Sequence, residues 1–184
     1  MSTTPRLTPF SFAILVLVGR GGAGPHDLRR MADRGRVYWD AAPSQWYAEP
    51  KRLAGLGYLQ ARKEPGQTRQ RTHYTLTEKG REAIEEWART PAALPRAQHE
   101  TVLRLLAADL VDPAAVLEGL SVLGGEIEAA LAALERGRAL LADLPSRANL
   151  LDVNHRYAER FLKLQREWLR DATKALEEGS AESP

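Results

Sequence analysis

"YLQARKEPGQTRQRTHYTLTEKG", residues 58–80, is where the chain changes its period. Tyr58 and Leu59 open a strand. Pro65-Gly66 is a turn signal in a polar tip, and "RTHYTLT" (71–77) alternates and is rich in β-branched and aromatic residues, so it reads as the returning strand. Thr77 then caps a helix, "EKGREAIEEWAR". Three helices before this hairpin and one closing helix after it compose a winged helix-turn-helix.

The upstream sequence supplies those three helices. "FSFAILVLVG" (10–19) is the longest apolar run, and it is too short to span a bilayer. With Arg6 before it, the run imitates a signal-peptide core. Thr8-Pro9, however, reads as an N-cap followed by a first-turn proline, and Gly19 as a stop, so a buried first helix is expected over 9–18. Gly24-Pro25 starts a second helix with Leu28, Met31 and Ala32 on one side and Gly35 as its end. "RVYWDAAP" (36–43) is a short aromatic connection. Ser44, a favoured N-cap type, opens the third helix, with Leu53 and Leu56 inward and Gly57 as the stop.

That third helix, "SQWYAEPKRL" (44–53), contains a conflict. Pro50 sits at about its sixth position, where it removes one backbone donor and crowds the carbonyl of Trp46. The cost in a helix interior is roughly 3 kcal/mol. Two readings stand: a bend that aims Lys51 and Arg52 outward while Leu53 and Leu56 return to the core, or a local irregularity without consequence.

A helix fits the DNA major groove and reads base edges with its first exposed turns. Those turns offer Ser44, Gln45, Tyr47 and Ala48. Ser44 and Gln45 are able to hydrogen-bond bases, and Tyr47 a phosphate or a thymine methyl. Lys51 and Arg52 lie a turn later, where phosphates flank the groove. The hairpin holds Arg62, Lys63, Arg69 and Arg71 against Glu64 alone, and Gln67 and Thr68 beside Gly66 are small enough for a minor groove. The bland alternative is a solvated cationic face.

Beyond "TPAALP" (90–95) the chain reads as helical over roughly 98–110, 113–143 and 149–177. Asp112-Pro113 is a cap with a first-turn proline. Val116, Leu120, Leu123, Ile127, Ala130, Leu134, Gly137 and Leu141 step by four and three, as a heptad seam does, and Leu150, Asn154, Tyr157, Phe161, Leu164 and Trp168 repeat the rhythm. Gly124-Gly125 and Gly137 either weaken the helix or admit a close neighbour. The expected architecture is mainly α with a small β-hairpin wing. An N-terminal winged-helix DNA-binding domain (1–90) precedes a helical dimerisation domain (91–184) with a possible effector role. The apolar rows exceed what three amphipathic helices need internally, which predicts dimerisation through the C-terminal helices.

Charge follows the same division. Residues 1–90 hold 15 Lys/Arg and 9 Asp/Glu, net +6, whereas residues 91–184 hold 11 and 15, net −4. A basic half joined to an acidic half suggests a nucleic-acid module carried on something else. Of the 184 residues, 43% are hydrophobic and 27% charged, an ordinary globular composition. The chain has no cysteine, which excludes disulfides and thiolate metal sites and fits a reducing cytoplasm.

"LTPFSFAILVLV", "SQWYAEPKRLAGLGYL" and "YTLTEKGREAIEEW" together resemble the PadR family of bacterial transcriptional regulators over about residues 7–87. The helical tail, with "EWLRDA" around Trp168, is similar to the longer C-terminal domain of one PadR subgroup. The resemblance implies a homodimeric repressor on a near-palindromic double-stranded operator, released by a small effector. It implies DNA contact by Tyr47 and Lys51, and by the wing from Arg62 to Arg71 as a region. The sequence departs from the commoner pattern at Trp46, where an aliphatic residue is usual, and at Pro50, where leucine is.

Catalytic signals are absent, so a non-enzyme without cofactor or metal is expected. His26, His73, His99 and His155 show no helical metal spacing with one another, and His26-Asp27 reads as a helix cap and dipole partner. "GRGGAG" (19–24) follows no strand, so it is not a nucleotide loop. There is no nucleophile elbow. Aromatic residues gather at Tyr38-Trp39 with Trp46-Tyr47, and at Tyr157, Phe161 and Trp168. These read as core or dimer contacts, or as a pocket for a small aromatic or apolar effector involving Tyr38, Trp39, His155, Tyr157 and Trp168, with Arg156 a further polar anchor. The competing reading of the whole is a winged-helix assembly module that does not bind DNA.

Overall fold

The computed structural model describes residues 6–19, 21–34, 41–65, 70–95, 99–139 and 146–181. The chain divides into two compact units, Met1–Leu94 and Pro95–Pro184. The first contains α1 (Pro9–Val18), α2 (Pro25–Arg34), α3 (Gln45–Gly55), β1 (Leu59–Glu64), β2 (Arg71–Leu76) and α4 (Glu78–Arg89). This is a winged helix-turn-helix, as the period change at 58–80 predicts.

Local chemistry sets the ends of these elements. The Thr8 hydroxyl accepts from the Ser11 N–H while the Ser11 hydroxyl accepts from the Thr8 N–H, a reciprocal cap on α1. α3 ends with the Gly57 N–H donating to the Ala54 carbonyl and the Tyr58 N–H to that of Leu53, and Gly57 adopts φ +80° as this termination requires. Thr77 caps α4 by accepting from the Gly80 N–H. The expectation for Ser44 is corrected: it already has helical φ and ψ, and its side chain makes no capping bond. The Ala42 N–H instead donates to Gln45 Oε1, so the helix entrance is fixed one residue further on.

β1 and β2 pair antiparallel from Leu59↔Leu76 to Glu64↔Arg71. β2 also exchanges two backbone hydrogen bonds with Ala23 through Tyr74. The core gathers Ile14, Leu15, Val18, Ala23, Leu28, Trp46, Leu53, Tyr58, Leu59 and Tyr74. Phe10 meets Trp46 edge-on at 5.0 Å, and Phe12 stacks on Trp87 at 4.8 Å. Trp46 and Pro50 both face inward and are buried in the core.

The second unit contains α5 (Glu100–Leu106), a 3₁₀ turn (Ala107–Asp109), α6 (Pro113–Leu120), α7 (Leu123–Ala139) and α8 (Ala148–Ala181). The expected helices over 98–110 and 113–143 are therefore each divided. At the second break, Ser121 turns its hydroxyl back onto the Glu118 carbonyl. Gly35 and Leu141 lie outside the described residues.

α8 carries two apolar rows. The inner row is Leu151, His155, Ala158, Leu162, Gln165, Leu169, Ala172 and Leu176, each buried or half-buried. The row at Leu150, Tyr157 and Leu164 is exposed, with Phe161 and Trp168 half-buried. The seam Val116, Leu120, Ile127 and Leu134 is buried within the unit. Gly137 allows close approach, since a Cβ there would stand 3.3 Å from His155 Nε2.

Candidate nucleic-acid interface

Helical periodicity divides α3 into two faces. Trp46, Pro50 and Leu53 are buried, and Ser44, Gln45, Tyr47, Ala48 and Lys51 are exposed. Tyr47, at 46% exposure, presents a large aromatic surface. Lys51 has no ion pair or hydrogen bond with the described residues, whereas Gln45 spends its carbonyl on Ala42.

Arg52 is engaged internally. Its Nε donates to Glu49 Oε2 at 2.8 Å, and its Nη2 to Glu49 Oε1 at 2.7 Å and Ser11 Oγ at 3.1 Å. The Ser11 hydroxyl donates to Glu49 Oε1 at 2.6 Å. Burial pushes the Glu49 carboxyl up, but the hydrogen bonds from Arg52 and Ser11 and the charge of Arg52 outweigh it, holding the group below the usual carboxylate range. The phosphate contact expected of Arg52 competes with this pairing. The sequence signal for it is the single serine in an apolar helix together with the Glu49/Arg52 spacing.

On the hairpin, Arg62, Lys63 and Arg71 are exposed. Lys63 Nζ donates to Thr72 Oγ1 at 2.9 Å, and Arg71 stands 3.7 Å from Glu64. Gln67, Thr68 and Arg69 lie outside the described residues. Two contacts that sequence reasoning missed fix the base of the hairpin. Lys79 donates to the Leu56 carbonyl at 2.8 Å while lying over the Tyr58 ring, and His73 Nε2 is 3.2 Å from the Gly21 carbonyl oxygen.

Of the residues expected to hold an effector, His155, Tyr157 and Trp168 are described and have different surroundings. Tyr38 and Trp39 lie outside the described residues. His155 lines a pocket of about 200 Å³ with Leu131, Leu134, Glu135, Arg138, Glu159 and Lys163. Tyr157 instead stacks on Phe161 with the rings 6.5 Å apart, and Trp168 packs against Val116, Leu120 and Leu176. Arg156 pairs with Asp152 at 3.3 Å. Among the described residues no group of three or more His, Asp or Glu is placed to hold a metal. No described helix is long and apolar enough to cross a membrane.

Three helices, a two-stranded hairpin and a closing helix, with one face of α3 exposed, define the first unit as a winged helix-turn-helix. Neither a protein family nor a curated protein matches the chain by sequence. Among solved structures it is similar to Bacillus subtilis PadR in complex with operator DNA, at 20% identity and TM-score 0.76, covering 93% of this chain and 99% of that one. The same Bacillus protein with p-coumaric acid matches at TM-score 0.67 and 20% identity, covering 91% and 98%. The PadR-like regulator BC1756 of Bacillus cereus matches at TM-score 0.79 and 14% identity, covering 95% and 99%. The Vibrio cholerae virulence activator AphA matches at TM-score 0.69 and 21% identity, covering 94% and 99%. The chain thus has the PadR-like fold along nearly its whole length.

Proposed function

We propose that the chain is a PadR-like transcriptional regulator that binds double-stranded DNA. The observation that carries this reading is the division of α3: one side is locked into the core by Trp46, Pro50 and Leu53, and the other exposes Gln45, Tyr47, Ala48 and Lys51, while the hairpin of the same unit exposes Arg62, Lys63 and Arg71. Such a helix enters a major groove with its first turns, and the hairpin cations supply the phosphate attraction. The likeness to PadR bound to operator DNA supports it.

In this reading the protein is a homodimeric repressor on a near-palindromic operator. The outer row of α8, with Leu150, Tyr157 and Leu164 exposed, supports self-association. A helix of 34 residues offers about 51 Å of length at 1.5 Å per residue. Release by a small aromatic or apolar effector is supported by the p-coumaric acid complex of the Bacillus protein. The pocket beside His155 is the candidate site on this chain. The reading is tested by selecting duplexes from a random pool with the full chain and measuring affinity for the recovered sequence over a salt series. Enrichment of a two-fold symmetric motif and a steep salt slope support it; no enrichment and no slope would favour an assembly module.

A further inference from the structure

Pro50 has no N–H to donate to the Trp46 carbonyl, so the backbone ladder of α3 is interrupted between its first and second turns. The two residues that bracket this gap on the charged side are Glu49 and Arg52. They form a two-point pair, at 2.7 and 2.8 Å, that spans the interruption. The pair does not stand alone in solvent. Both partners reach Ser11, a side chain of 0% exposure on α1.

Hydrogen-bond accounting shows how fully Ser11 is committed. A hydroxyl has one proton and two acceptor positions. Its proton goes to Glu49 Oε1, its oxygen accepts from the Thr8 N–H at 2.9 Å and Arg52 Nη2 at 3.1 Å, and the Thr8 hydroxyl lies 3.0 Å away. The N-cap of α1 and the midpoint of α3 are therefore joined through one atom.

We propose that Ser11, Glu49 and Arg52 are positioning residues that set the angle at which α3 presents Tyr47 and Lys51, and that Arg52 does not contact phosphate. This deepens the DNA-binding reading and rests on it. The arrangement separates two kinds of effect by sign. Glu49 is an anion beside a face that would meet phosphates. By charge alone, Glu49→Gln should strengthen binding to every DNA. As a positioning residue, its loss should weaken binding to the preferred sequence only.

The experiment compares the full chain with Glu49→Gln, Arg52→Met, their combination, and Ser11→Ala. Each is titrated with the selected duplex and with a scrambled duplex of equal length across a potassium chloride series, after far-UV spectra establish folding. Expected is a loss of about tenfold on the selected duplex for each single variant, from the removal of hydrogen bonds to charged groups. The scrambled duplex should bind no more weakly. The slope of log affinity against log salt should be unchanged, and the combined variant should be no worse than its parents because the groups act as one.

Tighter binding of Glu49→Gln to both duplexes would overturn the proposal. So would a slope shallower by about 0.9 for Arg52→Met on both, the mark of one phosphate left without its cation. Ser11→Ala keeps both charges, so unaltered sequence preference in that variant also refutes the device. A parent chain that binds neither duplex removes the inference together with the reading on which it rests.

Discussion

Gly80 is the third residue of α4, and its missing side chain is filled by its neighbours. A Cβ built there would stand 2.7 Å from Leu76 Cδ1, and closer still to the Tyr58 carbonyl oxygen. Ordinary contact begins at 3.4 Å, so the leucine methyl must yield by about 0.7 Å and the carbonyl by more. That carbonyl cannot move freely, because it accepts from the Thr77 hydroxyl at 2.9 Å and the Thr77 N–H at 3.2 Å. Gly80→Ala should therefore cost about 1–3 kcal/mol of overpacking, against a helix-propensity gain of at most about 1 kcal/mol. A net loss of about 1–2 kcal/mol corresponds to a fall in melting midpoint of roughly 5–15 °C for a unit of this size. Thermal unfolding followed by tryptophan fluorescence reads this unit, because Trp39, Trp46 and Trp87 belong to it and Trp168 alone to the other. Gly125 is the matched control. It is also the third residue of its helix, α7, and nothing lies within 4 Å of its Cβ position. Gly125→Ala should leave stability unchanged or raise it. If Gly80→Ala behaves like Gly125→Ala, the close approach of α4 to the hairpin base does not constrain the fold.

Three further expectations concern binding and assembly. Lys51→Ala should weaken binding to all duplexes alike and make the salt slope shallower by about one unit, whereas Tyr47→Ala should cost more on the selected duplex than on random DNA; equal losses for Tyr47→Ala would show that the ring only positions the helix. Replacing Arg62 and Lys63 by alanine should lower the slope by about 0.9 for each phosphate no longer neutralised, with little change in thermal midpoint, since exposed charges contribute roughly 0–1 kcal/mol; normal binding at every salt concentration would mean the hairpin points away from the duplex. Leu150→Glu combined with Leu164→Glu should convert a dimer to a monomer in sedimentation velocity without unfolding α8, because both side chains are exposed within the protomer; an undiminished dimer would place the interface elsewhere.

What could be read from the sequence was what is decided within a few residues. Thr8-Pro9 marks the start of α1 because capping is a local bond, and Thr77 marks that of α4 for the same reason. The hairpin announced itself through a change of period and a Pro-Gly turn. Two of the three features that escaped depend on residues distant along the chain. Arg52 looked like an exposed cation because Ser11, its second partner, lies 41 residues away. Ser44 looked like a cap because its type favours one, yet the chain enters α3 already helical. In α8, the exposed and buried rows have the same heptad rhythm, and only the placement of α6 and α7 selects which faces inward. The candidate DNA-facing residues of α3 were legible as a face, but the division between outward-directed Lys51 and inward-bonded Arg52 was not.

The one-residue offset between the two rows of α8 makes the helix unequal in its tolerance of length changes. Suppose the C-terminal third stays anchored by Ala172 and Leu176. Deleting one residue before it turns the upstream helix by about 100°, at 3.6 residues per turn. Leu150, Asn154, Tyr157, Phe161 and Leu164 then occupy the stations of Leu151, His155, Ala158, Leu162 and Gln165. The core remains largely apolar, though crowded where tyrosine replaces alanine. Inserting one residue turns the helix the other way and offers those stations Asp152, Arg156, Glu159, Lys163 and Arg166, which would bury several charges. A shortened α8 thus keeps a packable interior while losing its apolar exterior, and a lengthened one buries charge while turning the leucines of its former inner row outward.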